Sequence, residues 1–220
     1  MTNKERLIEL SIKYNLSHIG SCFTALGIIE AIYAIKKPED KFVLSSGHAH
    51  LAHAVVLEQI GKSIEEPIKD IHCNRESGCD VSTGSLGQGL AISVGLALAN
   101  RDKTIFCLVS DGEMAEGSNW EALRIAEEQK LSNLRVFVNA NGYGAYKEID
   151  TEDLIKKLDA WVPALMVVDD NNPFTHALAL GRERNGPVVT IYKTNPKLGI
   201  WAEGLAAHYK PADKELYDKN

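Results

Sequence analysis

The sequence predicts a doubly wound α/β fold, a mostly parallel sheet with helices on both faces. Three observations carry that prediction. Short apolar runs rich in β-branched residues alternate with longer segments of helical period along the chain. Two of those runs, Thr104–Val109 and Leu134–Val138, are separated by one helical stretch, Glu116 to Leu131, which is the pattern of a parallel crossover. Both runs empty into short turns bearing oxygen side chains and glycine, Ser110-Asp111-Gly112-Glu113 and Asn139-Ala140-Asn141-Gly142-Tyr143. In an open parallel sheet, ligands bind outside the carboxyl ends of the strands.

Taken in order, residues 4–15 and 24–36 carry apolar positions at helical spacing. Lys41-Phe42-Val43-Leu44 reads as a short strand, with a helix from about His48 to Ile60 behind it. Asp70 to Thr83 is polar and irregular, the composition of an active-site loop. Leu86 to Asn100, carrying Gly87, Gly89 and Gly95, reads as a helix lying close to its neighbours. Strands are expected at 104–109, 134–138, 164–168 and 187–192, the last preceded by a helix over 174–184. No linker, repeat or low-complexity segment interrupts this alternation, so residues 1–195 form one domain and 196–220 extend it.

Bulk properties narrow the function classes. A net charge of −6 disfavours non-specific nucleic-acid binding and gives no sign of a membrane-surface role. No apolar run approaches the roughly 18 residues that span a bilayer, and the polar N-terminus carries no secretion signal, so a cytoplasmic location is expected. The four cysteines, Cys22, Cys73, Cys79 and Cys107, form no CxxC pair and are expected to be reduced. A zinc site drawn from Cys73, Cys79 and the histidines of His48-Ala49-His50-Leu51-Ala52-His53 has spacings that fit structural zinc motifs poorly.

The strand-end turns point to a cation and a phosphate. Magnesium takes hard oxygen ligands and shares its shell with phosphates. Asp111 supplies charge, the Asn141 amide a neutral oxygen, and a backbone carbonyl near Tyr143 a third ligand. Gly112 lets its N–H approach a phosphate, and the helix starting near Glu116 adds a positive dipole end. Either turn alone reads better as an ordinary loop than as a ligand site. Together, at crossover spacing, they read as an anchor.

The run Asp111-Gly112-Glu113-Met114-Ala115-Glu116-Gly117-Ser118-Asn119-Trp120-Glu121-Ala122, with Leu131-Ser132-Asn133-Leu134 downstream, resembles the cofactor-binding domain of transketolases. Phe42–Ala49 resembles the family's first histidine loop, Val81–Gly89 its segment near the cofactor rings, and Ser17-His18-Ile19-Gly20 its N-terminal GH-x-G element. The likeness runs from about residue 5 to 195. It implies thiamine diphosphate and magnesium as cofactors. His48, Gly84, Ser85, Leu86, Asp111, Gly112, Glu113, Asn141 and Tyr143 would contact the cofactor, with Asp111, Asn141 and Tyr143 on the metal.

It also implies that His18, His48 and His72 line the substrate channel, bind sugar hydroxyls and move protons. Imidazole chemistry agrees, since it titrates near neutrality. His72-Cys73-Asn74-Arg75 departs from the family's His-Pro-Glu element. His208, in His208-Tyr209-Lys210-Pro211, resembles a late substrate-contacting HG-x-P element without its glycine. His50, His53 and His176 match nothing and are expected to be packing or surface residues. Glu116 matches an acid at the family's subunit interface, in a network joining paired active sites; alternatively it is a helix-start carboxylate.

In this family the glutamate that activates the cofactor lies in a second, pyrimidine-binding domain, which nothing after residue 195 could form. The expectation is therefore the N-terminal subunit of a split transketolase. It would act with a separately encoded pyrimidine-binding partner as a dimer of heterodimers, moving a two-carbon ketol unit between small sugars. Ser110 in place of the first glycine of GDG, and Thr194–Gly199 where a Lys-Gly-rich run is usual, leave open a specialised C–C bond-forming relative in a biosynthetic pathway. A decarboxylating relative with the same cofactor and a non-catalytic regulatory subunit keeping the fold are further alternatives.

Overall fold

The computed structural model describes residues 1–62, 64, 72–145, 147–168, 185–194, 205 and 210–214. The helix expected over 174–184, His176 and His208 lie outside these residues.

Helix α1 (Asn3–Tyr14) opens with a capping box, in which Thr2 and Glu5 satisfy each other's backbone N–H groups. It stops at Asn15 in the left-handed region. Helix α2 (Ile19–Ile35) starts five residues before the expected 24, because His18 takes a left-handed conformation (φ 63°) and turns the chain into the helix there. It is apolar nearly all round, the mark of a buried helix. Strand β1 (Lys41–Leu44) leads through a single 3-10 turn, Gly47–Ala49, into helix α3 (His50–Gln59).

Helix α4 (Gln88–Ala99), strand β2 (Ile105–Ser110), helix α5 (Gly117–Glu128) and strand β3 (Leu134–Ala140) follow. They fall within two or three residues of the expected bounds. Helix α6 (Thr151–Trp161) is N-capped by Asp150, whose side chain accepts from the Asp153 N–H. Strands β4 (Leu165–Val168) and β5 (Val188–Lys193) complete a five-stranded sheet in the order β1-β2-β3-β5-β4, with every pairing parallel.

The period-two alternation of each strand divides the core. Phe42, Leu44, Phe106, Leu108, Phe137 and Tyr192 face α1, α2 and α3. Val43, Ile105, Cys107, Val109, Val136, Val138, Val189 and Ile191 face α4, α5 and α6. Helices thus cover both faces, as the sequence predicts. The tail returns to this body: Ile19 donates its N–H to the Lys210 carbonyl, and the Ala212 N–H reaches Ser11 Oγ at 2.9 Å.

One expectation is overturned. Cys73 and Cys79 are joined in a disulfide, not reduced (S–S 2.06 Å). The turn between them brings their Cα atoms to 6.2 Å, with Gly78 N–H donating to the Arg75 carbonyl and Cys79 N–H to that of Asn74. Cys22 and Cys107 are free and buried, as apolar filling. Among the described residues no helix is long and apolar enough to cross a membrane.

Candidate active site

The pairing of Ser110 with Asn139 sets the carboxyl ends of β2 and β3 side by side. Asp111 follows directly, its N–H bonded to the Asn139 carbonyl at 3.1 Å. Its carboxylate is almost wholly buried: Oδ1 accepts from Gly112 N–H at 3.0 Å and Oδ2 from Gly142 N–H at 2.7 Å. The Gly112 N–H, expected to face a phosphate, is therefore directed to Asp111. Asn141 Oδ1 accepts from Tyr143 N–H at 3.0 Å, while its Nδ2 donates to Thr24 Oγ1 at 3.4 Å. A Cβ placed on Gly112 would lie 3.8 Å from the Tyr143 carbonyl oxygen and 3.3 Å from Gly144 Cα, so the two turns meet closely there.

Asp111 and Gly112 border a cleft of about 580 Å³ lined also by Leu86, Glu116, Gly144 and Lys147. A carboxylate, an amide oxygen and a nearby backbone carbonyl form an all-oxygen donor set, which fits magnesium. Each Asp111 oxygen accepts one N–H and keeps lone-pair capacity for a cation.

Burial raises the Asp111 carboxyl from its ordinary 3.8 to about 7, against the hydrogen bonds from Gly142 and Gly112. A folded-state value above the unfolded one gives stability that is full below pH 3.8 and is lost as pH rises through 7. The difference is worth about 4 kcal/mol. The metal-free chain is therefore expected to unfold at lower urea at pH 8 than at pH 5, relative to Asp111→Asn, whose profile lacks this component.

Glu113 turns away from the cleft. Its fully buried carboxylate accepts from Ser45 Oγ (2.7 Å), Gly87 N–H (3.2 Å) and Ser110 N–H (3.1 Å). Burial raises its pKa, and these donors oppose the shift. The side chain ties the end of β1, the start of α4 and the end of β2 into one knot, a bracing position behind the site. Gly89 fits the same knot, since an added Cβ would come within 2.5 Å of Ser45.

The three histidines expected in the substrate channel converge. His18 precedes α2, with Ser17 Oγ at 2.9 Å from its Nδ1, and its ring centroid lies 5.2 Å from that of His48. The His72 ring comes close upon Gly84, where an added Cβ would meet it at 3.0 Å. Burial lowers the His18 pKa, and the charge of His72 lowers it further. The His48 turn and the Gly84 segment touch backbone to backbone: a Cβ on Gly47 would sit 2.9 Å from Thr83 and Gly84 atoms.

Gly84 and Leu86 are half-buried beside this cluster, and Ser85 is exposed. Glu116 is exposed at the head of α5, with Gly87 against its stem. His50 and His53 are buried, so neither is a surface residue.

Sequence reasoning missed Thr24. Its Oγ1 accepts from the side-chain amides of both Asn139 (2.9 Å) and Asn141 (3.4 Å), orienting the latter. Helix α2 therefore joins the two ends of the site, with His18 at its start and Thr24 on Asn141.

Comparison with known proteins agrees with this geometry. The family described as transketolase, thiamine diphosphate binding domain, matches residues 34–195. A transketolase-like protein 2 of Bos taurus is 34% identical over 92% of this chain and 38% of its own length. An apulose-4-phosphate transketolase subunit from Phocaeicola vulgatus is 32% identical over 63% of this chain and 58% of its own. The solved transketolase of Pichia stipitis (H261F) superposes with a TM-score of 0.86 over 97% of this chain and 38% of that one, at 23% identity, a likeness of fold. The chain spans about two fifths of the transketolases it matches. With the family's match covering most of the sheet and both strand-end turns, the chain belongs to the transketolase family, as its thiamine diphosphate-binding domain.

Proposed function

We propose that this chain is the thiamine diphosphate- and magnesium-binding subunit of a two-chain transketolase, moving a two-carbon ketol unit from a ketose to an aldose. The observation that carries the reading is the convergence of His18, His48 and His72 at the Gly84 segment, joined through α2 to the Asp111–Asn141 oxygen pair. Asp111, Asn141 and the Tyr143 carbonyl would hold the metal, and Gly84, Ser85, Leu86 and His48 would line the cofactor. When bound, thiamine diphosphate supplies the carbanion chemistry needed to break and rejoin the carbon–carbon bond.

The chain's own residues would bind, orient and move protons. His18, kept neutral by its burial, can accept a proton from a sugar hydroxyl or return one to it. His72, exposed beside Gly84, would meet substrate first. His208, outside the described residues, is proposed as a further substrate contact. Glu113 would act by holding the strand ends, and Glu116 by meeting a neighbouring subunit.

A partner chain is supported by helix α4. It exposes Ala91, Ile92, Gly95, Leu98 and Ala99 on one side, an apolar face that a second subunit would cover. The Phocaeicola relative is named as one subunit of its transketolase, which is consistent with a divided enzyme. The proposed assembly is two of these chains with two pyrimidine-binding partners, with residues 1–195 as the cofactor domain. Purified alone, with magnesium, thiamine diphosphate, a ketose donor and an aldose acceptor, the chain should give no transfer, and a pyrimidine-binding subunit should restore it. Robust transfer by the chain alone would sink the divided enzyme. In sedimentation, Leu98→Glu is expected to weaken the association of this chain with its partner at least about tenfold, since it buries an unpaired charge at the interface.

A further inference from the structure

On the opposite side of α3 from solvent, two histidines and two cysteines meet in a pocket that the ketol-transfer reading does not use. His50 and His53 stand one helical turn apart on α3 and are each 1% exposed; Cys73 is 1% and Cys79 6% exposed. One ligand atom from each of the four lies within 4.8 Å of all the others. Cys79 Sγ is 3.4 Å from His53 Nδ1 and 3.9 Å from His50 Nδ1, and Cys73 Sγ is 3.9 Å from His53 Nδ1.

We propose that, with Cys73 and Cys79 reduced, His50, His53, Cys73 and Cys79 hold one structural zinc ion that fastens the loop bearing His72 to helix α3.

The donor set is the first argument. Two imidazoles and two thiolates in a closed site are the ligands of structural zinc, which is tetrahedral with Zn–S near 2.3 Å and Zn–N near 2.0 Å. Those bond lengths ask for ligand separations of about 3.4–3.8 Å. The sulfur–nitrogen distances already lie close to that range, so the change needed is an opening of the two sulfurs. The linear spacing, His-x2-His and Cys-x5-Cys, fits a zinc motif poorly. The turn over Asn74–Gly78 and the helical period nevertheless place all four side chains on one point.

Orientation is the second argument. Tyr33 Oη lies 2.6 Å from His53 Nε2, so the ring can donate there and keep the Nδ1 lone pair toward the sulfurs. A ligating histidine is commonly oriented by such a bond on its far nitrogen. The Phe42 ring, edge-on to His53 at 5.0 Å, closes the pocket on another side.

Charge is the third. Zinc with two thiolates and two neutral imidazoles carries no net charge, which suits a water-free pocket.

The chemistry balances. A trialkylphosphine with one water converts the disulfide to two thiols and phosphine oxide, and zinc then displaces the two thiol protons. The consequence reaches the site because Cys73 adjoins His72 and its carbonyl accepts the Thr83 N–H at 2.9 Å, next to Gly84. That consequence rests on the ketol-transfer reading, whereas the metal site does not.

The test uses the full 220-residue chain, reduced with phosphine under argon, loaded with zinc and dialysed. The expected result is one zinc per chain and two thiols protected from a disulfide reagent. Cobalt substitution should give the visible bands of tetrahedral cobalt with thiolate charge transfer. The Cys73→Ser/Cys79→Ser double variant and His50→Ala should lose the ion, Cys107→Ser should keep it, and Tyr33→Phe should weaken it about tenfold. The cobalt spectrum and thiol count are read on the unaltered chain, so a variant that fails to fold does not remove the test. Zinc no higher than in the double variant, an octahedral cobalt spectrum, or equal uptake by the oxidised chain would each overturn the proposal. No measurement here requires thiamine diphosphate, so failure of the cofactor reading leaves the result intact.

Discussion

Asp111→Ala is expected to abolish binding of thiamine diphosphate with magnesium, with no detectable heat in calorimetric titration and a loss of at least about 100-fold in affinity. The proposed metal site draws its negative charge from this carboxylate, and a hard dication loses most when a charged oxygen is removed. The fold should survive. Truncation leaves the Gly112 and Gly142 N–H groups without their acceptor, at about 1–3 kcal/mol each. It also relieves a buried carboxyl whose pKa has been raised to about 7, a relief of about 4 kcal/mol at high pH. These contributions largely cancel, so circular dichroism and urea midpoints should change little while binding disappears. Affinity equal to that of the unaltered chain would refute the anchor.

Glu113→Leu should have the opposite signature. Three donors, Ser45 Oγ and the N–H groups of Gly87 and Ser110, converge on this carboxylate in a fully buried position. A leucine fills the volume but leaves all of them unmatched, at a cost of at least about 3 kcal/mol. Glu113→Gln keeps an acceptor oxygen and should cost about 1–2 kcal/mol. Both would be read as shifts of the urea midpoint, with cofactor affinity falling only as the fold loosens. If Glu113 instead met the cofactor directly, both variants would lose affinity at unchanged stability, and the bracing role would be wrong.

The sequence carried the sheet because strand and helix signals alternate without interruption, and parallel pairing follows from that alternation. The side-by-side placement of Asp111 and Asn141 was legible for the same reason: each ends an apolar strand, and one helix separates them. His18, His48 and His72 came from short motifs, and the fold draws them together.

Less legible were features fixed by contacts between distant residues. Glu113 lies beside Asp111 in sequence, yet its side chain faces Ser45, 68 positions away. Thr24 looked like one more residue of an apolar helix, although it reaches Asn141 across 117 positions. The early start of α2 depends on one left-handed residue, His18, which no periodicity reveals. The pairing of Cys73 with Cys79 needed the turn over Asn74–Gly78, whose geometry spacing alone does not supply.

Helix α2 acts as a gauge block. Thr24 stands six positions after His18, about 9 Å of axial rise, and Ile28, Ile29 and Ile32 clamp the rest of the rod into the core. His18 and the Asn141 turn, the proposed proton-handling and cation-binding ends, are therefore held at one separation. In the proposed enzyme a change of sugar length would be taken up outside α2, because the rod offers no slack. The proposed enzyme would thus vary what it accepts without moving its cation.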